Sequence, residues 1–173
     1  TMTAVEIDPP VAERLPKTIA EFMPDAVDRF RVVNRDALTV NPENLPDFKD
    51  DDSFTLVANL PYNVTTPLIT ALLEAGCFES VTVMIQKEVA QRLCAAPGTG
   101  EYGAFSVLVQ WYAEPKLLFE VGRGSFMPQP NVDSAVVRFS VRSAPPVEAE
   151  ERSFFALVRA AFGQRRKTVA NSV

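Results

Sequence analysis

Short β-branched runs alternate with helix-forming stretches along this chain, and no other feature constrains the fold as much. A strand, a helix and a second strand return the chain in the same direction. Repeated alternation therefore builds a mostly parallel sheet with helices on its faces. The apolar runs are Thr3 to Ile7 (TAVEI), Phe30 to Asn34, Phe54 to Ala58 (FTLVA) and Val81 to Ile85 (VTVMI). Between them, helices are expected from Pro9 or Pro10 to about Phe22, from Thr66 to Ala75 and from Lys87 to Ala95. Proline suits a first helical turn, because the N–H it lacks would be unpaired there anyway. Residues 39–52 read as a polar loop with Pro42 and Pro46, and Pro97 to Gly103 as a Gly-rich loop. Phe105 to Tyr112 is compatible with helix or strand, and helix is favoured. Leu117 to Val121 and Ala135 to Val141 have no long helix between them, which predicts an antiparallel pair at the edge of the sheet. After a linker at Ala144 to Val147, Phe154, Leu157, Val158 and Ala161 recur at helical spacing over Ser153 to Phe162. The expected organisation is an α/β domain over residues 1–143, then a linker and the beginning of a helical domain over residues 144–173.

Composition narrows the chemistry. Hydrophobic residues make up 47%, enough for a real core. No apolar run approaches the roughly 20 residues that cross a bilayer. The first residues lack the basic-then-apolar pattern of a signal peptide. Cys77 and Cys94 form neither a metal cluster nor a disulfide framework, so a reducing, cytoplasmic setting without a metal is expected. Histidine is absent, which removes the commonest general base and the commonest metal ligand. Chemistry here must run on carboxylates, amides, aromatic rings and backbone groups. The net charge of −5 argues mildly against a nucleic-acid partner. The charge is uneven, however: Asp50 to Asp52 and Glu148, Glu150 and Glu151 are acidic, whereas Arg159, Arg165, Arg166 and Lys167 make the C-terminal end basic.

In open α/β sheets ligands bind at the carboxyl ends of the strands. Glu6, Asp36, Asn59 and Gln86 all fall there. Glu6 at the end of its strand is placed to accept from both hydroxyls of a ribose, or else simply faces water. Asp36 is placed to accept from an adenine amine, or else caps a turn. Gly98, Gly100 and Gly103 spell G-x-G-x-x-G, but a phosphate-binding fingerprint must follow a strand, and these glycines follow a helix. They read as a flexible loop. All seven glycines lie at position 76 or later, so the chain is expected to begin at the second strand of a nucleotide-binding fold, without a Gly-rich first turn.

Asn59-Leu60-Pro61-Tyr62 is the sharpest signal. It sets an amide, a rigid turn and an aromatic ring directly after a buried strand. An exocyclic aromatic amine is a poor nucleophile because its lone pair is delocalised into the ring. Acceptors on its two N–H groups favour pyramidalisation and aim the lone pair outward. The Asn59 side-chain oxygen and the Leu60 carbonyl are candidate acceptors, Pro61 would fix the turn, and Tyr62 would stack on the base. No acid or base side chain is needed. The bland alternative is a strand-to-helix turn with a buried tyrosine. In Phe126-Met127-Pro128-Gln129-Pro130-Asn131-Val132-Asp133-Ser134 two prolines stiffen a loop, and Phe126 either faces Tyr62 across a flipped base or merely packs.

TAVEID, RDAL, LVANLPYNV, QKEVAQRL, YGAFSVLVQWYA, FMPQPNVDSAVVRF and FGQRRKT together resemble the ribosomal RNA adenine dimethyltransferases, in that family's order and over nearly the whole chain. Within the family the likeness is to the housekeeping enzymes of the small ribosomal subunit. The resemblance implies a Rossmann-like S-adenosylmethionine-dependent fold, incomplete here at its first strand and glycine loop and in most of its C-terminal domain. It implies that two methyls pass to each of two adjacent adenosines near the 3′ end of small-subunit rRNA, without a metal. By matching position, Glu6 would hold the cofactor ribose and Asp36 the cofactor adenine. Asn59, Leu60, Pro61 and Tyr62 would hold the target adenine beside the methyl donor, and Phe126 would stack on it. Arg165, Arg166 and Lys167 would contact phosphates, or else form a solvated helix end. The fragment is expected to be inactive by itself and to self-associate through the uncovered sheet. Three other readings remain. One is the related enzymes that dimethylate large-subunit rRNA and confer macrolide resistance. A second is a non-catalytic ribosome-binding factor. The third, a nicotinamide-dependent enzyme, is opposed by the misplaced glycines.

Overall fold

β1 (Met2–Glu6) lies parallel to β2 (Phe30–Asn34), with Glu6 opposite Asn34 at their carboxyl ends. The crossover is α1 (Pro9–Phe22), followed by a 3₁₀ turn at Pro24–Arg29. Two prolines occupy the first turn of α1. Asp8 caps it by accepting the Val11 N–H at 3.4 Å. These elements belong to the first of two units in a computed structural model, Thr1–Ser53; the second is Phe54–Val173. The described residues are 1–40 and 53–163. Of the loop expected over 39–52, Thr39 closes a 3₁₀ turn (Ala37–Thr39), and residues 41–52 lie outside the described residues.

The second unit is built on a four-stranded sheet in the order β3-β4-β6-β5. β3 (Phe54–Asn59) runs parallel to β4 (Phe78–Gln86). β6 (Ser134–Val141) lies antiparallel to both β4 and β5 (Ala113–Val121). Sequence periodicity places the strand cores correctly but understates their length. β4 begins at Phe78 rather than Val81: Phe78 pairs with Phe54 and the polar Ser80 with Thr55, while Glu79 between them is skipped at a bulge in the register. Glu79 still accepts the Thr55 hydroxyl at 2.9 Å. β5 begins at Ala113 rather than Leu117, and Pro115 lies inside it opposite Phe139. An edge strand tolerates that proline, since only one of its sides must donate to a neighbour.

The core follows from period-two alternation on the two inner strands. Val81, Val83 and Ile85 of β4 stand opposite Phe139, Val137 and Ala135 of β6, and all six are almost completely buried. Directly opposed side chains touch, so a large residue on one strand meets a smaller one on the other. α2 (Thr65–Glu74) adds Leu68, Ile69 and Leu73 to this cluster. α3 (Lys87–Leu93) adds Ala90 and Leu93, and α4 (Ala104–Tyr112) adds Val109.

The stretch compatible with either element is helical because its polar side chains close the end of α3. Ser106 Oγ accepts the Gly103 N–H at 3.0 Å and donates to the Arg92 carbonyl at 2.6 Å. Gln110 donates to the carbonyls of Leu93 and Ala95 at 3.2 and 2.9 Å. Carbonyls that a helix end leaves unpaired thereby find donors.

α5 (Glu151–Gly163) packs on α4 through aromatic rings: Trp111 stacks on Phe154 at 4.3 Å between centroids, and Tyr112 stacks on Phe155 at 6.1 Å. The Tyr112 hydroxyl donates to Glu151 at 2.9 Å; burial, and then that carboxylate, hold the phenol well above its ordinary pKa. Trp111 is the single tryptophan, so its emission reports this contact. Phe154→Ala is expected to red-shift that emission and to cost about 2–3 kcal/mol in denaturant unfolding.

Candidate active site

The residues singled out from the sequence fall into the two units. In the first, Glu6 ends β1 and Asp36 follows β2, at the carboxyl ends of paired strands. One Glu6 oxygen accepts the Asp8 N–H at 2.9 Å. Asn34 Nδ2 donates to the Glu6 carbonyl at 2.8 Å and holds the strand end in place. One Asp36 oxygen accepts the Leu38 N–H at 3.0 Å, so this residue does cap a turn. Each carboxylate keeps its other oxygen without a bond among the described residues.

In the second unit Asn59 ends β3 and Gln86 ends β4. The turn after Asn59 is tied down at several points. The Leu60 N–H donates to the Met84 carbonyl at 3.1 Å, and the Leu60 side chain is buried in the core. The Pro61 carbonyl accepts both the Val64 N–H at 3.2 Å and the Thr65 hydroxyl at 3.1 Å. The Tyr62 hydroxyl meets Ser134 Oγ at 2.8 Å. Two predicted acceptors stand beside these bonds. The exposed Asn59 side-chain amide and the Leu60 carbonyl have no hydrogen-bond partner among the described residues. Tyr62 is half-buried, and so is Phe126, which follows a 3₁₀ turn (Arg123–Ser125). The two rings do not touch each other.

Charges cluster on the loop side. Lys87 donates to Glu120 at 2.7 Å, and that bond, aided by the charges of Glu120 and Asp133, raises the ammonium pKa. An opening of about 320 Å³ is lined by Lys87, Glu88, Arg123, Asn131, Val132 and Asp133. Its cations and carboxylates balance, and neither Asn59 nor Tyr62 lines it. Arg165, Arg166 and Lys167 lie outside the described residues. Among the described residues no group of three or more Cys, Asp or Glu is arranged to hold a metal. Sequence reasoning missed Ser134. A serine heading an apolar strand (Asp-Ser-Ala-Val-Val) is an available signal, but it acquires meaning only from the partner that the fold brings to it.

The family model described as "Ribosomal RNA adenine dimethylase" matches residues 1–173. The chain belongs to that family. It is 62% identical over 182 residues to the ribosomal RNA small subunit methyltransferase A of Bifidobacterium adolescentis, covering 98% of this chain and 59% of that protein. To the protein of the same name from Thermobifida fusca it is 48% identical, covering 97% of this chain and 57% of that one. The chain thus spans somewhat under three fifths of the length of the curated relatives it matches. Among solved structures it resembles the 23S rRNA methyltransferase ErmE (TM-score 0.76, 28% identity, 98% of this chain and 64% of that one). It also resembles a dimethyladenosine transferase from Plasmodium falciparum (TM-score 0.74, 27% identity, 96% of this chain and 56% of that one). The α/β fold with mixed sheets is therefore that of rRNA methyltransferases.

Neighbouring residues of this dimethylase turn should respond very differently to truncation. Leu60→Ala empties a buried position and is expected to cost about 2–4 kcal/mol in urea unfolding. Asn59→Ala removes an exposed side chain with no partner and should change stability by no more than about 0.5 kcal/mol.

Proposed function

We propose that the complete protein carrying this chain transfers methyl groups from S-adenosylmethionine to the exocyclic amines of two adjacent adenosines near the 3′ end of small-subunit rRNA. The observation that carries this reading is a pair of acceptors without a partner among the described residues, the Asn59 amide oxygen and the Leu60 carbonyl, on a turn held by the Leu60 N–H, the Pro61 carbonyl and the Tyr62 hydroxyl. An adenine amine presents two N–H donors, and two fixed acceptors match them. Their pull draws the nitrogen towards a pyramidal shape, so that its lone pair points away from the ring.

S-adenosylmethionine supplies an electrophilic methyl on a positively charged sulfur. Glu6 and Asp36 fit such a ligand chemically, since each offers a carboxylate oxygen without a partner among the described residues to hydroxyl or amine donors. Pro61 keeps the turn rigid, and Tyr62 offers a face for stacking. Once the nitrogen is alkylated its proton is acidic and leaves to solvent, so the step needs no general base among these residues. Fixed acceptors that act as charge develops contribute on the scale of an oxyanion hole.

Identity favours the small subunit over the large-subunit reading, because 62% with a small-subunit methyltransferase far exceeds 28% with a 23S enzyme. The two solved relatives fit the fold almost equally, so shape alone does not discriminate. Residues 144–173 fit the opening of a helical RNA-contacting region, with Arg165, Arg166 and Lys167 as phosphate contacts. An rRNA substrate implies the cytoplasm, and no described helix is long and apolar enough to cross a membrane. Self-association is supported by β1 and β3, each paired on one side only among the described residues. Sedimentation at rising concentration tests it, and a clean monomer would discard it.

The decisive experiment is methyl transfer by the complete protein to undermethylated small subunits and to naked large-subunit RNA. Transfer to the first alone is expected. Transfer to the second alone would establish the resistance-type reading. Asn59→Ala should lower transfer by roughly 100-fold or more with an unchanged melting curve. Full transfer by that variant would remove Asn59 from the reaction, and a complete protein that binds small subunits but transfers no methyl to either RNA would be a ribosome-binding factor instead. In calorimetric titration Glu6→Ala should weaken S-adenosylmethionine binding by about tenfold or more, because a charge-assisted acceptor is lost.

A further inference from the structure

Tyr62 is held by a residue that the methyl-transfer chemistry does not use. Its hydroxyl lies 2.8 Å from Oγ of Ser134, and either oxygen is able to donate. Ser134 is completely buried. A buried hydroxyl that lost its partner would leave a polar group unsatisfied, so this bond is strongly favoured.

Ser134 is also unusually well fixed for the first residue of a strand. It stands opposite Gln86 of β4 and Val121 of β5, inside the four-stranded sheet. The residue before it is braced twice more: the Asp133 carbonyl accepts the Lys87 N–H at 2.9 Å, and an Asp133 carboxylate oxygen accepts the Arg123 N–H at 2.9 Å. The hydroxyl is therefore a fixed point of the sheet. It takes hold of the far end of a ring whose near end sits on the turn after β3. A tyrosine anchored at both ends cannot swing sideways, whereas a phenylalanine there would be held at the backbone only. The Arg123 turn braced by Asp133 leads directly into Phe126, whose N–H donates to the Arg123 carbonyl at 3.3 Å.

We propose that Ser134 is a positioning residue for the methyl-transfer reaction: its hydroxyl sets the lateral position of the Tyr62 ring and thereby where a stacked adenine presents its amine to Asn59 and Leu60. This rests on the reading of Tyr62 as the stacking residue. It is a role in placing the base, so it acts on turnover rather than on cofactor affinity. The bond makes Tyr62 and Ser134 one unit, and the loss of either partner has the same consequence.

The test uses Ser134→Ala, Tyr62→Phe and the double variant of the complete protein, with undermethylated small subunits as substrate. Each single variant is expected to lower kcat about tenfold, the scale of one lost hydrogen bond to a positioned group, with KM for S-adenosylmethionine within about twofold. The double variant should be no worse than the poorer single one, because the second change removes a bond already gone. Losses that multiply would overturn the proposal, and so would a Ser134→Ala protein with unaltered kcat. If Ser134→Ala failed to fold, Tyr62→Phe would decide alone, since it breaks the same bond without emptying a buried position.

A direct readout accompanies the kinetics. In ¹³Cζ-tyrosine-labelled protein the Tyr62 signal is identified by its loss in Tyr62→Phe. Ser134→Ala should move the Tyr62 signal and leave those of Tyr102 and Tyr112 in place; an unmoved signal would rule out the bond. An unsubstituted protein that methylates no rRNA would overturn the functional reading and the positioning role together. An active protein indifferent to Ser134→Ala would overturn the positioning role alone.

Discussion

The second unit depends on one contact, the ladder between β4 and β6. Val81, Val83 and Ile85 face Phe139, Val137 and Ala135 across it, and removing these side chains from water supplies the main driving force for the sheet. The bonds that hold the Asn59 to Tyr62 turn to the sheet run to these strands. Leu60 bonds to Met84 of β4, Lys87 at the end of β4 bonds to the residue preceding β6, and Tyr62 bonds to the first residue of β6. A dry, close-packed sheet is stiff, and stiffness suits the proposed role of holding two acceptors still.

The chemistry suits that architecture. Alkylation of an aromatic amine asks for orientation of a lone pair, not for a proton shuttle. In the proposed reading an amide, a carbonyl and a ring serve that purpose, provided that these groups do not move. The division of labour along the turn is consistent with this. Leu60 is buried and bonded through its N–H, while its carbonyl and the Asn59 amide stay unengaged among the described residues. The backbone thus anchors and presents in the same residue.

Much of this was legible in the chain. The strand cores are short β-branched runs, and their ends follow from where the run stops, which puts Glu6, Asn59 and Gln86 at strand ends. The starts of β4 and β5 were not legible. Ser80 pairs in the ladder despite its polarity, Glu79 before it is accommodated as a bulge, and Pro115 is tolerated because β5 is an edge. None of these facts is local to the sequence. Asp36 shows the ambiguity of a carboxylate after a strand: one oxygen caps the turn, as aspartate commonly does, and the other remains available.

By itself the sequence determined the alternation of elements, the family, and the position of the Asn-Leu-Pro-Tyr turn after a strand, although that strand, expected to be buried, alternates exposed and half-buried residues. These are local or compositional properties, carried by residue type and spacing. Tertiary structure alone decided that β6 inserts antiparallel between β4 and β5, and that Ser134 meets Tyr62 from seventy-two positions away. It alone decided which polar groups of the turn are already bonded and which are left to act. The physical reason is that a hydrogen bond depends on which donor lies within about 3 Å of which acceptor. Residues far apart in the chain reach that distance only when a shared core holds their strands together.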